Sequence, residues 1–166
     1  MGSKFRGTRL ATIGAVALMM GLVPACGGDD EGGGGATGGG ATGSGEGGTV
    51  TVMLQEFSVG TVPASAPAGT VTFNVSNIGP DDVHEFVVIS TDLGPTELPT
   101  AKDGSVLETG EGMEVIDEIE DMAVDANETL AVDLQAGPYV LICNIYDKAE
   151  KESHYQEGMR TGFTVE

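Results

Sequence analysis

From Thr49 onward, apolar and polar residues alternate in short runs separated by Gly, Pro and Asn. Val50, Val52 and Leu54 share one face of Thr49–Leu54. Val71, Phe73 and Val75 do so in Thr70–Asn77, as do Leu130, Val132 and Leu134 in Thr129–Leu134. Successive side chains of a strand point to opposite faces, so this period of two predicts half-buried strands. His84–Ile89 is apolar on both faces after His84, which predicts a strand covered on both sides. Tyr139–Cys143 reads as a central strand and Thr161–Val165 as the closing one, with Phe86, Tyr139 and Phe163 in the core. Asn77–Asp82 and Ala136-Gly137-Pro138 are turns by composition, and Asp92–Gly112 is expected to be irregular. Met113–Val124 fits two patterns: a helix burying Val115, Ile116, Ile119, Met122 and Ala123, or a strand pair broken near Glu118. About seven short strands with short connections predict an all-β domain, a Greek-key β-sandwich.

The first 48 residues follow a different pattern. Lys4, Arg6 and Arg9 precede an apolar run, Leu10–Val23, shorter than a comfortable membrane span. The run ends Leu22-Val23-Pro24-Ala25-Cys26, which resembles a bacterial lipobox. That resemblance implies an export signal over residues 1–26, with Cys26 lipidated and held at a membrane; an ordinary cleaved signal or an uncleaved anchor are the alternatives. Gly27–Gly48 has no large apolar side chain and is expected to be a flexible tether. Residues 49–166 are then one domain, long enough for a single core.

Charge narrows the choice of partners. The chain carries −19, and removal of Lys4, Arg6 and Arg9 with the leader leaves 4 basic against 26 acidic residues, or −22. Phosphate binding needs a basic patch, so nucleic acid is excluded as a partner. Acidity on this scale favours solubility, and it either steers a basic protein partner towards the chain or is simply a charged surface suited to the habitat.

The candidate chemistry lies in few residues. An exported chain meets an oxidising compartment where cysteines usually pair. With Cys26 lipidated, Cys143 has no partner, which marks it as a reactive thiol, an intermolecular bridge or a metal ligand. An inert buried thiol is the plain alternative. The chain's two histidines are His84, at the head of a predicted strand, and His154, and Met159 stands five positions after His154. Two imidazoles, a thiolate and a thioether are the donor set of an electron-transferring copper centre.

The C-terminal run resembles the cupredoxins. It has an Ala-Gly-x-Tyr turn, a strand ending in Cys143, then His154-Tyr155-x-x-Gly158-Met159 and a Thr-rich closing strand, while His84-Glu85-Phe86 matches the strand bearing the family's first histidine ligand. The resemblance implies a cupredoxin-like sandwich holding one type 1-like copper per chain. His84, Cys143 and His154 would be its equatorial ligands and Met159 its axial one. One departure stands out: ten residues, Asn144–Ser153, separate Cys143 from His154, where small cupredoxins have few. Loop closure costs only about 0.6 kcal/mol per doubling of length, so the insertion does not exclude copper binding. The insert is expected either to leave the copper more solvent-accessible or more tetragonal, or to form a recognition surface.

The resulting expectation is a single-electron carrier, monomeric and lipid-anchored at the bacterial cell envelope outside the cytoplasm, serving a redox partner protein. Copper storage or delivery and a metal-free interaction module are the rivals. An enzyme is not expected, because no nucleophile–base pair, phosphate loop or second metal cluster is present in the sequence.

Overall fold

The computed structural model describes residues 46–166. The expected export signal, the lipidation of Cys26 and nearly all of the Gly-rich stretch lie outside the described residues. Chain order gives strands β1 (Glu46–Gln55), β2 (Ser58–Val62), β3 (Ser65–Ala66), β4 (Gly69–Asn77), β5 (His84–Thr91) and β6 (Met113–Met122). After them come β7 (Asn127–Leu134), β8 (Gly137–Ile142), β9 (Tyr146–Asp147), β10 (Glu152–Ser153), the one-turn helix α1 (His154–Glu157) and β11 (Arg160–Val165).

Two mixed sheets form a sandwich, one ordered β2-β1-β4-β7 and the other β3-β11-β8-β5-β6. β1 runs parallel to β4 and β3 parallel to β11; the other pairings are antiparallel. The connections from β4 to β5, β6 to β7 and β7 to β8 each pass from one sheet to the other. The alternating residues predicted to point inward do so. Val50, Val52, Leu54, Val71, Phe73, Val75, Val132 and Leu134 from one sheet meet Phe86, Val88, Tyr139, Leu141 and Phe163 from the other, with Leu130 partly buried against them. Burial of this apolar area is the main drive for the fold. β5 and β8 also bury their other face. Val87, Ile89, Val140 and Ile142 pack under Leu98 and Val106 of the irregular 92–112 segment and under Tyr155.

Met113–Met122 is one strand, neither a helix nor a broken strand pair. The pairing of β5 with β6 shifts register twice, between His84 and Phe86 and between Val88 and Ile89. Each shift places an extra residue on β6, since Ile119 and Met122 face Phe86 and His84, and Val115 and Asp117 face Ile89 and Val88. An extra residue flips the alternation by one position. Two such flips space the apolar residues three and four apart, which imitates a helical face.

β2 is a strand that the alternation does not disclose. It pairs back on β1 across Glu56-Phe57, and only Val59 of β2 is buried. The first strand begins at Glu46, within the Gly-rich stretch. A side chain at Gly47 would meet the Thr70 carbonyl oxygen at 2.5 Å, so glycine is what allows β1 to lie against β4 there.

Candidate metal centre

The rigid sheet delivers two of the four sequence-predicted donors. His84 is the first residue of β5, and Cys143 directly follows the last residue of β8; these two strands are hydrogen-bonded neighbours. The other two donors come from the segment between β8 and β11. His154 opens α1, whose N-terminus is capped by the Ser153 hydroxyl accepting from the Gln156 N–H. Met159 follows the glycine that ends α1. Gly158 has φ +133°, and a side chain there would meet the Phe57 carbonyl oxygen at 2.9 Å, so glycine lets the two turns close on each other.

Backbone hydrogen bonds tie the two donor pairs together. The Cys143 N–H donates to the Met159 carbonyl at 3.0 Å, the Met159 N–H to the His154 carbonyl at 2.9 Å, and the His154 N–H to the Ile145 carbonyl at 3.0 Å. As a result His84, Cys143 and His154 converge, with donor atoms all within 4.8 Å of one another. His84 Nδ1 and His154 Nδ1 are 3.2 Å apart, and Cys143 Sγ lies 3.4 Å from His154 Nδ1 and 3.9 Å from His84 Nδ1. A trigonal site with metal–donor distances of about 2.0–2.3 Å has donor separations of about 3.5–4.0 Å. The donors present therefore fit a three-coordinate cation with little movement. Met159 is nearby and fully buried, and the four residues form a type 1 copper-like site.

The electrostatics suit a soft cation in a dry cleft. Burial pushes the Cys143 thiol up to about 12, although the Glu85 N–H donates to its sulfur at 3.4 Å. The thiol therefore keeps its proton until a cation displaces it. Burial and the neighbouring His154 ring hold His84 below its usual value, so it is neutral at pH 7 with a lone pair to give. Among the described residues Cys143 is a free cysteine.

The long insert does not open the site. His84, Cys143 and Met159 are fully buried, and His154 is 2% exposed, contrary to the expectation of a more solvent-accessible copper. Asn144–Ser153 folds instead into the β9–β10 hairpin. It docks on the irregular segment: the Asn144 amide donates to the Val106 carbonyl and to Glu108, and the Ser153 hydroxyl to the Gly104 carbonyl.

Two residues at the site escape the sequence. Phe57 stacks edge-on against the His154 ring at 5.3 Å. Glu56 reaches beneath His84, its Oε1 lying 3.6 Å from Nε2. Burial raises the Glu56 carboxyl, but the Asp82 and Asp81 N–H groups outweigh it and hold the carboxyl below its usual value. Both residues sit in the β1–β2 turn, where neither composition nor periodicity marks them.

No family model and no curated protein matches the sequence. Solved structures do resemble the fold. An auracyanin from Roseiflexus castenholzii is 18% identical with a TM-score of 0.50, over 71% of this chain and 96% of that one. Auracyanin A, a blue copper protein from Chloroflexus aurantiacus, is 14% identical with a TM-score of 0.47, over 71% and 98%. Rusticyanin from Thiobacillus ferrooxidans is 17% identical with a TM-score of 0.45, over 71% and 77%. The described domain has the cupredoxin fold.

Proposed function

We propose that the protein holds one copper ion per chain on His84, Cys143, His154 and Met159, and carries single electrons to and from a partner protein outside the cytoplasm. The observation that carries this reading is the buried convergence of two imidazoles and one thiol at 3.2–3.9 Å. Copper, when bound, supplies a one-electron couple. The chain supplies rigidity: backbone hydrogen bonds from Cys143 to Met159 and from Met159 to His154 limit how far the donors move between oxidation states. Low movement favours fast electron exchange. It suits storage or delivery less well, since those require the donors to release the ion.

The excess of acidic residues supports a basic partner, with an association that weakens as salt rises. The lipobox-like Leu22–Cys26 supports anchoring at the outer face of a membrane. Among the described residues no helix is long and apolar enough to cross one.

Voltammetry of the copper-loaded protein tests the proposal. Reversible one-electron cycling is expected, and irreversible loss of copper on reduction would contradict the carrier reading. Met159→Leu should keep copper and shift the potential, and an unchanged potential would remove Met159 from the ligand set.

A further inference from the structure

The buried side of His84 holds an unresolved pairing. Its Nδ1 faces His154 and Cys143, and its Nε2 points the other way, buried and without a hydrogen-bond partner. Across from it stands Glu56, whose Oε2 is also buried without a partner. Glu56 Oε1 accepts the Asp81 N–H at 3.1 Å and the Asp82 N–H at 2.6 Å, and it lies 3.6 Å from His84 Nε2. The two side chains are 13% and 0% exposed, so water is a poor substitute partner for either. An imidazole that binds a metal through Nδ1 carries its proton on Nε2, and such protons are commonly given to a carboxylate or a carbonyl. The observed 3.6 Å is just beyond hydrogen-bond length and closes with a small rotation of either side chain.

We infer that Glu56 is a positioning residue for the metal centre: its carboxylate accepts the Nε2–H of His84, fixes Nδ1 as the metal-facing nitrogen and raises its donor strength. The inference rests on the copper reading above. Two consequences follow from the chemistry. Fixing the tautomer organises the site before any cation arrives, which strengthens binding. A negative charge behind a ligand favours Cu(II) over Cu(I), which lowers the reduction potential. The turn is built for this task, because the Asp81 and Asp82 N–H groups hold the carboxylate in place just ahead of His84 in the chain.

The test uses the full chain as wild type, Glu56→Gln and Glu56→Ala. Glu56→Gln keeps an oxygen for the Asp81 and Asp82 N–H groups, removes the charge and turns the second oxygen into an NH2 donor. It should keep the visible copper band and raise the reduction potential. Glu56→Ala should weaken copper binding about 10- to 100-fold in a chelator competition. Nitrogen-15 shifts of the wild-type, metal-free protein should show His84 protonated at Nε2. Wild-type potential and affinity in both folded variants would overturn the inference, and so would His84 protonated at Nδ1. If the variants fail to fold, the wild-type tautomer still decides. A wild type that gives no copper band at all overturns the copper reading instead, and leaves the tautomer to decide the Glu56 contact.

Discussion

Two of the four donors stand on strands and two on a loop, and the two pairs are held by different means. His84 and Cys143 sit at ends of β5 and β8, fixed by the ladder and by apolar cover on both faces of the sheet. His154 and Met159 sit in a segment with a single turn of helix and a hairpin of two-residue strands, which reaches the core through Tyr155 and Met159. That arm is held by specific polar contacts. The Tyr155 hydroxyl donates to the Pro95 carbonyl at 2.8 Å, Arg160 donates to the Tyr155 carbonyl, and the Arg160 guanidinium lies 4.9 Å over the Tyr155 ring. Packing is general and resists single changes in surface residues, whereas a polar clamp depends on a few atoms. Stability should therefore be governed by the strands, and copper affinity should respond sharply to the arm.

The largest effect tests the strand half. Phe73 packs at 5.3 Å from Phe86 and 5.6 Å from Phe163 in the middle of the core. Phe73→Ala should cost about 3–5 kcal/mol in denaturant unfolding. The position of the copper band should not move, since the cavity lies in the sandwich. A band that moves with this core change would erase the distinction between the two halves.

The next effect lies at the seam. Glu85 donates its N–H to the Cys143 sulfur and accepts the Asn144 N–H at 2.7 Å with its carboxylate, joining strand and arm. Burial, opposed by that Asn144 N–H and reinforced by Glu108, Glu118 and Glu120, pushes its carboxyl up to about 7. A raised carboxyl makes the folded state bind its proton more tightly than the unfolded chain does. The stabilisation is complete below the ordinary carboxylate range and is lost as pH rises towards 7. For the metal-free protein, unfolding at pH 5 and pH 8 should show Glu85→Gln removing about 2 kcal/mol of this decline, allowing for partial exposure. An identical pH slope in both proteins would contradict it.

The smallest effect tests the arm. Tyr155→Phe removes the hydroxyl bond to Pro95 and should cost about 1 kcal/mol of stability. Its copper affinity should nevertheless fall more than that of Phe73→Ala in the same chelator competition. The reverse ranking would mean that the arm is held by something other than its polar clamp.

Much of this was legible in the sequence, for a physical reason. Strands packed on a core show their inward face as alternation, so Val50–Leu54, Val71–Val75 and Leu130–Leu134 could be placed directly. The donors were legible because the chain has only two histidines and two cysteines. What stayed hidden depends on contacts distant in sequence. The bulges in β6 disguise a strand as a helical face. The β1–β2 turn carries Glu56 and Phe57 to the site without any Gly or Asn to announce it. The insert reads as a charged excursion, and only its docking on Gly104, Val106 and Glu108 shows that it folds onto the domain.

The central claim is that these four side chains make one copper centre. The most direct test is a Cu(II) titration of the purified full chain followed by visible absorption, beside Cys143→Ala. An intense thiolate-to-copper band that saturates at one ion per chain, absent from a folded Cys143→Ala, is the predicted result. No band in the wild type, with the Cys143 thiol still free, or the same band in Cys143→Ala, would contradict it.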